Sequence, residues 1–314
     1  MMRISIIVPV YNGEEALNRC LESLHRQPTI DDSLQFVIVN DGSTDGSDRI
    51  IDNYCQKDHR FVKLSTPNKG VAHARNCGIK HSSGDYVCFL DCDDEVKENY
   101  FEALESELKR SAVDVLLFTA QYSYDNIHYQ IYNSFSHCNR NMSGIQFASS
   151  YIKQHHFLDV VPWTKAVKKE LLTNNKLYFP DTYGEDEVWS HKLFVYAKKV
   201  RYVNKIIYVQ HRTSHSLSSY KNEPENIASQ KNSFIELEHF YHDHLDEGNL
   251  SKQLYSELSH DYIGLCCRND TLKIKFSDKL FCLKNAHTFS RFIDALLFFI
   301  SPQLRKQLKC LAKK

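Results

Sequence analysis

The sequence predicts an α/β protein built on a mostly parallel β-sheet, with a helical extension at its C-terminal end. The first third of the chain alternates short β-branched runs with helix-like segments, which is typical of parallel βαβ units. With 314 residues, of which 42% are hydrophobic and 25% charged, the chain can bury a large core. Beyond Asn222 the pattern is helical to the end of the sequence.

Four strand-like runs open the chain, and each is followed by a helix-like segment. The strand-like runs are residues 4–8, 36–39, 61–64 and 86–90. The helix-like segments are residues 14–26, 44–54, 71–80 and a stretch that begins near 98. A fifth apolar run, 113–119, is expected to extend the sheet. Because ligands of such sheets bind outside the carboxyl ends of the strands, the residues that follow each strand are the candidates for function.

No Pro/Gly-rich linker interrupts the middle of the chain, where a helix is expected at 187–197 and a strand at 200–210. We therefore expect one domain over residues 1–220, with halves 1–110 and 111–220, followed by a helical region over 221–314. Breaks between the C-terminal helices are expected at Gly248, at residues 268–270 and at Pro302.

Charge and cysteine content exclude several classes of protein. The 39 basic residues balance 39 acidic ones, so no overall field favours nucleic acid. The ten cysteines include no Cys-x-x-Cys pair, which favours reduced thiols and excludes the usual zinc sites. No signal-like segment opens the sequence, and the longest apolar run, of about twelve residues, is too short for a bilayer. We therefore expect a cytoplasmic protein that does not cross a membrane.

Polar clusters follow three of the predicted strands, at residues 9–12, 40–45 and 91–94. Helix capping and turn formation account for part of the second cluster. They do not account for Asp91, Asp93 and Asp94, whose charges repel one another with no basic residue nearby before Lys97. A divalent cation resolves this repulsion and is suited to carrying a diphosphate. The chain has neither a P-loop nor a dinucleotide-binding fingerprint after any strand.

Five motifs together resemble the family 2 glycosyltransferases, in their order and spacing. They are residues 9–12 (PVYN), 41–45 (DGSTD), 68–78 (NKGVAHARNCG), 89–94 (FLDCDD) and 184–186 (GED). The resemblance covers about residues 3–216 and is nearest to bacterial enzymes of surface-polysaccharide synthesis. It implies a GT-A fold with a Rossmann-like sheet, in which 1–110 binds the nucleotide sugar and 111–220 binds the acceptor. It also implies transfer of a sugar from a nucleotide-sugar donor, for which we expect UDP.

The resemblance assigns donor-side roles to matching residues. Tyr11 and Asp41 are expected to hold the nucleobase, with Pro9 and Asn12 shaping its pocket. Further donor contacts are expected from Asn68 and Arg75, and Asp91 is expected near the ribose. Asp93 corresponds to the metal ligand of the family's D-x-D motif, for Mn²⁺ or Mg²⁺. Cys92, between the two, receives no metal role because a soft thiol is a poor ligand for these ions.

Acceptor-side roles follow in the same way. Asp186 is expected to be the general base and Glu185 to hold the acceptor, although an acidic first turn is also ordinary helix capping. Trp163 is expected either to stack on the acceptor sugar or to lie in the core. His211 could complete the metal shell and Arg212 could pair with phosphate, and an ordinary surface turn is the alternative.

The last 44 residues, Thr271 to Lys314, carry ten basic and two acidic side chains, a net charge of +8. After Pro302, leucines at 304, 308 and 311 share one helical face beside Arg305 and several lysines. This pattern is typical of a helix lying on an anionic membrane surface, and a helix docked on the protein itself is the alternative.

The expected function is metal-assisted, inverting transfer of a hexose or N-acetylhexosamine from a UDP-sugar to a hydroxyl of a glycan or lipid-linked saccharide, at the inner face of the cell membrane. Two alternatives stay open at this point. A sugar-nucleotide pyrophosphorylase needs a Gly-rich basic loop after the first strand, whereas Glu14 and Glu15 make this loop acidic. A non-catalytic carbohydrate-binding subunit would keep the fold without the chemistry.

Overall fold

The computed structural model describes residues 2–28, 33–124, 127–130, 135–211, 224–246, 248–268, 276–286, 289–302 and 305. Within these residues, one sheet contains all the strands, in the order β3-β2-β1-β4-β9-β6-β10-β5, with β7 on β6 and β8 on β10. The strands are β1 Ile4–Val10, β2 Leu34–Asn40, β3 Phe61–Ser65, β4 Tyr86–Phe89, β5 Glu95–Val96, β6 Val115–Tyr124, β7 Ile127–Gln130, β8 Asn141–Met142, β9 Lys165–Lys168 and β10 Val200–His211.

The first four strands form the predicted parallel core. β1 lies between β2 and β4 and is parallel to both, with Ile6 opposite Phe36 on one side and Cys88 on the other. Every residue of β1 is buried, as expected for a strand covered on both faces. The carboxyl ends of β1, β2 and β4 therefore lie at the same edge, and the loops that follow them are neighbours. The predicted α/β class and its βαβ beginning are confirmed.

The second half of the sheet is mixed. β6 and β10 run parallel to each other, whereas β9 pairs antiparallel with both β4 and β6 and so joins the two halves. The strand-like runs at 113–119 and 200–210 were predicted, but β9 was not. Its sequence has lysines on both sides of Ala166 and Val167, so it shows no strand pattern. Lys165 is buried by the tertiary surroundings of the strand, which a local pattern does not predict.

The helices alternate with the first strands and then continue alone. They are α1 Glu14–His25, α2 Ser47–Lys57, α3 Val71–His81, α4 Tyr100–Ser111, α5 Gly144–His155, α6 Lys169–Asn174, α7 Glu185–Tyr196, α8 Pro224–His244, α9 Asn249–Arg268, α10 Phe276–Lys284 and α11 Phe289–Ile300. α1 shows how the pattern works, because Leu17, Leu21 and Leu24 share its buried face. No helix in the described ranges is long and apolar enough to cross a bilayer.

The chain forms two compact units. We call the first the sheet unit, which consists of Met1–Gly144, Val160–Asp181 and Tyr196–Ser216. We call the second the helical unit, which consists of Ile145–Asp159, Thr182–Val195 and Leu217–Lys314. Most of α5 and α7 thus belongs with the C-terminal helices, although both lie before residue 220. The boundary that the sequence suggested near 220 stays a prediction.

Within the helical unit, α9, α10 and α11 share a core of buried side chains that includes Ile263, Cys282 and Phe298. Arg305 pairs with Asp294 of α11 through two hydrogen bonds of 2.8 and 2.6 Å. Arg305 is buried, so it is not one of the membrane-facing basic residues that the tail pattern predicted. This pairing favours the docked alternative for residue 305, and the lysines beyond it lie outside the described residues.

α3 approaches β1 closely at Gly78. A Cβ atom there would lie 2.3 Å from Cγ2 of Ile7, well inside van der Waals contact. We expect Gly78→Ala to lower the free energy of unfolding by about 1 to 2 kcal/mol, because overpacking outweighs the higher helix propensity of alanine. Urea denaturation checks this. Gln56→Ala, at an exposed position of α2, is the control and should change the value by less than about 0.5 kcal/mol.

Candidate active site

The loops after β1 and β2 are tied together by Asn12. Its backbone N–H donates to Oγ of Ser43 at 3.1 Å, and its side-chain oxygen accepts the N–H of Thr44 at 2.8 Å. Asn12 has a φ of +49°, a region that asparagine tolerates better than most residues. Tyr11, beside it, is 50% exposed. The first two polar clusters therefore form one surface, on which the ring of Tyr11 is available for stacking.

Asp41 organises the loop that follows β3. Its buried carboxylate accepts hydrogen bonds from the Thr66 hydroxyl at 2.8 Å and from the backbone N–H groups of Lys69 and Gly70 at 3.1 and 2.7 Å. The next residue, Gly42, has a φ of +74°, and a Cβ there would lie 2.8 Å from the backbone nitrogen of Asn68. Asp41 therefore places Asn68 and the start of α3. Direct contact of Asp41 with a nucleobase stays a prediction.

The residues 91–94 after β4, which we call the acidic loop, receive their first counter-charge from α3. Nη2 of Arg75 donates to Oδ1 of Asp91 at 3.0 Å. The buried guanidinium also lies over the ring of Phe179, 5.3 Å from its centroid. Asp91 and Arg75, both predicted donor contacts, are thus brought together as an ion pair.

Asp94 is held by the end of β10. It is 1% exposed, and its carboxylate accepts the hydroxyl of Tyr208 at 2.5 Å and the backbone N–H of His211 at 2.8 Å. Burial and the charges of Asp91 and Asp93 raise the pKa of Asp94 well above its usual range. Both oxygens of Asp94 are therefore used to fasten the acidic loop to β10.

Trp163 supports the same contact. It lies in a 3₁₀ turn, Pro162–Thr164, and its indole stacks on the ring of Tyr208 with 4.6 Å between centroids and 13° between planes. Trp163 is only 4% exposed. This placement favours the core alternative over stacking on an acceptor sugar.

Asp93 is the carboxylate of the acidic loop that is left open. Within the described ranges, no other residue donates a hydrogen bond to its side chain, while Arg19 donates to its backbone carbonyl at 2.5 Å. Burial and the neighbouring Asp91 raise the pKa of Asp93, and the charge of Arg19 and the residue's own backbone N–H oppose this only in part, so a further cation would stabilise the carboxylate. A hard oxygen ligand in this setting fits a divalent cation of the Mg²⁺ or Mn²⁺ type.

Asp93 alone does not make a metal site. In the part of the chain that the structure describes, no group of three His, Cys, Asp or Glu side chains could hold a metal ion. Nε2 of His211 lies 3.1 Å from Oε1 of Glu95, so its metal role stays a prediction. Burial, with Asp93 as the next cause, raises the pKa of Cys92 to about 12 and keeps it a thiol, in agreement with giving it no metal role. A cation on Asp93 would take its other ligands largely from the diphosphate and water.

The second acidic group, residues 185–187, forms the first turn of α7 in the helical unit, and we call it the acidic turn. Gly184 precedes it with a φ of +79°, a conformation that favours glycine. The side chain of Asp186 accepts the N–H of Glu187 at 2.9 Å, which is local capping. Glu185 and Asp186 are both partly exposed, as acceptor-side residues require.

Several contacts of the site could not be predicted from the sequence. Tyr208 and Phe179 lie in segments that read as ordinary apolar sequence, and no motif marks their contacts with Asp94 and Arg75. Pro9 lies buried within β1, opposite Val39, so it supports the loop after β1 from inside the sheet. Arg212 lies outside the described residues.

Comparison with known proteins agrees with these features. A family model described as Glycosyl transferase family 2 matches residues 5–174. GlyG of Streptococcus pneumoniae serotype 4, a glycosyltransferase, is 31% identical over 230 residues, which cover 68% of this chain and 72% of GlyG. The glycosyltransferase GlyA of the same organism is 30% identical over 222 residues, which cover 69% of this chain and only 31% of GlyA.

A solved structure shares the fold. Residues 1–349 of S. aureus TarS, in complex with UDP-GlcNAc, align with a TM-score of 0.65 at 20% identity, over 96% of this chain and 81% of that one. At this identity the likeness establishes the fold, and it confirms the GT-A architecture that the five motifs predicted.

Asp41 offers a test of the loop geometry. We expect Asp41→Asn to lower the free energy of unfolding by about 1.5 to 3 kcal/mol, because the amide cannot accept from Thr66, Lys69 and Gly70 as a carboxylate does. Urea denaturation without nucleotide measures this. Asp52→Asn, which alters a half-exposed ion pair with Lys63, should cost less than about 1 kcal/mol. Equal effects of the two substitutions would contradict the assigned role of Asp41.

Proposed function

Because the chain belongs to the family 2 glycosyltransferases, we propose that it transfers a hexose or an N-acetylhexosamine from a UDP-sugar to a hydroxyl of a glycan or lipid-linked saccharide, with inversion at the anomeric carbon. The observation that carries the donor side of this proposal is the open carboxylate of Asp93 in a loop whose other carboxylates are already engaged. The UDP-GlcNAc in the TarS structure is a property of that protein and supports the choice of donor.

On the donor side, each residue has one task. Tyr11, half exposed, stacks on the uracil, and Asp41 holds the neighbouring loop for it. Arg75 and Asp91 together face the ribose. Asp93 holds Mn²⁺ or Mg²⁺, which when bound offsets the charge of the diphosphate. His211, the last residue of β10, is proposed to meet the same diphosphate, and so is Arg212.

On the acceptor side, Glu185 binds the acceptor sugar and Asp186 acts as the general base. Asp186 takes the proton of the acceptor hydroxyl as the oxygen forms its bond to the anomeric carbon. The bond from that carbon to the diphosphate oxygen breaks on the opposite face, and UDP leaves with the bonding electrons. One displacement of this kind inverts the anomeric configuration.

Two substitutions separate the two carboxylate roles. We expect Asp93→Ala to abolish the enhancement of UDP binding by Mn²⁺, measured by calorimetric titration with and without the metal. We expect Asp186→Asn to keep that binding but to release UDP from the UDP-sugar, by hydrolysis, at least 100-fold more slowly. A general base typically contributes a factor of 10² to 10⁴ in rate. Release is measured with water as acceptor on a panel of UDP-glucose, UDP-galactose and their N-acetyl forms.

The matched control is Asp85→Asn, a carboxylate of the sheet unit that accepts the N–H of Arg3. It should change neither binding nor release. Metal-enhanced binding that survives in Asp93→Ala would remove the donor half of the proposal, and normal release by Asp186→Asn would remove the base.

We also propose that the enzyme works at the cytoplasmic face of the membrane, through the surface of α10 and α11. Phe276 and Leu280 of α10 are 69% and 49% exposed, and Ile300 of α11 is 63% exposed. Phe276 lies beside the end of α11, with its ring 5.5 Å from that of Phe299. Exposed apolar side chains in a segment with a net charge of +8 suit an anionic lipid surface.

Vesicle flotation tests this surface. We expect the double variant Phe276→Ser, Ile300→Ser to bind phosphatidylglycerol vesicles about tenfold or more weakly, because each apolar side chain contributes 1 kcal/mol or more on entering the interface, on the order of its burial energy. The control is Ile235→Ser, at a 38% exposed position on α8. Unchanged flotation of the double variant, or equal losses in the control, would contradict the proposal.

A further inference from the structure

The segment that leads into the acidic turn is held by side chains of α8. The backbone N–H of Tyr183 donates to Oγ of Ser229 at 2.7 Å. One turn further along α8, the hydroxyl of Ser233 donates to Oγ1 of Thr182 at 3.3 Å. Gly184 completes this contact, because a Cβ there would lie 3.9 Å from Cγ of Gln230. The three residues before Glu185 therefore all lie against one stretch of α8.

A second set of contacts lies further along the same two helices. His191 of α7 and Tyr241 of α8 are both fully buried, and Nδ1 of His191 is hydrogen-bonded to the Tyr241 hydroxyl. Nε2 of His191 lies 3.6 Å from Oε1 of Glu187, which belongs to the acidic turn. Lys192 of α7 also pairs with Glu236 of α8. Nζ of Lys192 lies 5.4 Å from the ring centroid of Phe240 as well. Residues 229, 233, 236 and 240 recur at the spacing of one helical face, so these contacts form a continuous seam with Tyr241 beside it.

The seam matters because a general base works only when its carboxylate is held at the reacting oxygen. A shift of about 1 Å can cost a hundredfold in rate. The backbone enters the acidic turn through Gly184, which has a φ of +79°. Because glycine has no Cβ atom, the backbone has more conformational freedom there than at any other residue type. The hydrogen bond from Tyr183 to Ser229 fixes the chain one residue before that glycine. Both α7 and α8 lie beyond residue 174, where the family match ends.

We propose that Ser229 and Tyr241 are positioning residues for the acidic turn. Ser229 acts through the backbone of Tyr183, and Tyr241 acts through His191 and Glu187. This inference rests on the proposed role of Asp186. It extends the catalytic machinery into the C-terminal helices, a part of the chain that the sequence treated as a separate region. Neither side chain is required to touch substrate.

The test uses the full chain, with water as the acceptor and the fastest UDP-sugar of the donor panel. We expect Ser229→Ala to lower kcat for UDP release about tenfold, while KM for the UDP-sugar and Mn²⁺-enhanced UDP binding stay within twofold. Ser229→Thr keeps a hydroxyl and should restore kcat to within about threefold. Tyr241→Phe, which removes only the oxygen at His191, should lower kcat in the same direction with KM unchanged.

The matched control is Ser259→Ala in α9, since Ser259 is buried in the same unit and its hydroxyl donates to the Cys282 carbonyl of α10 at 3.1 Å. It should leave kcat unchanged. Full kcat in both Ser229→Ala and Tyr241→Phe would overturn the positioning role, and so would an equal fall in Ser259→Ala, which would indicate general loosening of the unit. If Asp186→Asn alone releases UDP normally, the proposed base fails first, and the two failures are thereby distinguished.

Discussion

The site depends on how three carboxylates within four residues are kept at the end of β4. Unpaired, Asp91, Asp93 and Asp94 would repel one another in a partly buried setting. Two of the three carboxylates are held by different partners. The Arg75 guanidinium of α3 pairs with Asp91, and Asp94 accepts hydrogen bonds from a hydroxyl and a backbone N–H of β10. What remains is Asp93, whose charge Arg19 of α1 offsets only in part. The position of the Asp93 carboxylate is thus decided by the groups that hold its neighbours.

This division of labour explains which parts of the site could be predicted. The strand-end clusters were visible because β1, β2 and β4 follow an apolar pattern and end in polar residues, and parallel strands bring such ends to one edge. The five motifs gave the family. The partners were not visible, since Tyr208 sits in a strand that reads as ordinary buried sequence and Phe179 precedes an unremarkable loop. Contacts of this kind depend on tertiary packing, which no local pattern contains.

The same limit applies to the fold. The parallel core was predictable because strand-like and helix-like hydrophobic patterns alternate along the sequence. β9 was not predictable, because its two lysines break the strand pattern and its burial depends on the neighbouring strands. α7 was predicted as a helix, but its association with the C-terminal helices arises from side chains such as Ser229 and Tyr241 that are far away in sequence. A division of this chain by sequence position alone therefore separates residues that the structure holds together.

The commitment of Asp91 and Asp94 to structural partners has a consequence for anyone wishing to redesign this protein. Varying the whole acidic loop would remove contacts that hold it in place, because Asp91 and Asp94 secure the loop to α3 and β10. Substitutions are better made at residue 93 and at Arg19 of α1, which donates a hydrogen bond to the backbone carbonyl of Asp93. Substitutions at these two positions leave the contacts of Asp91 and Asp94 intact.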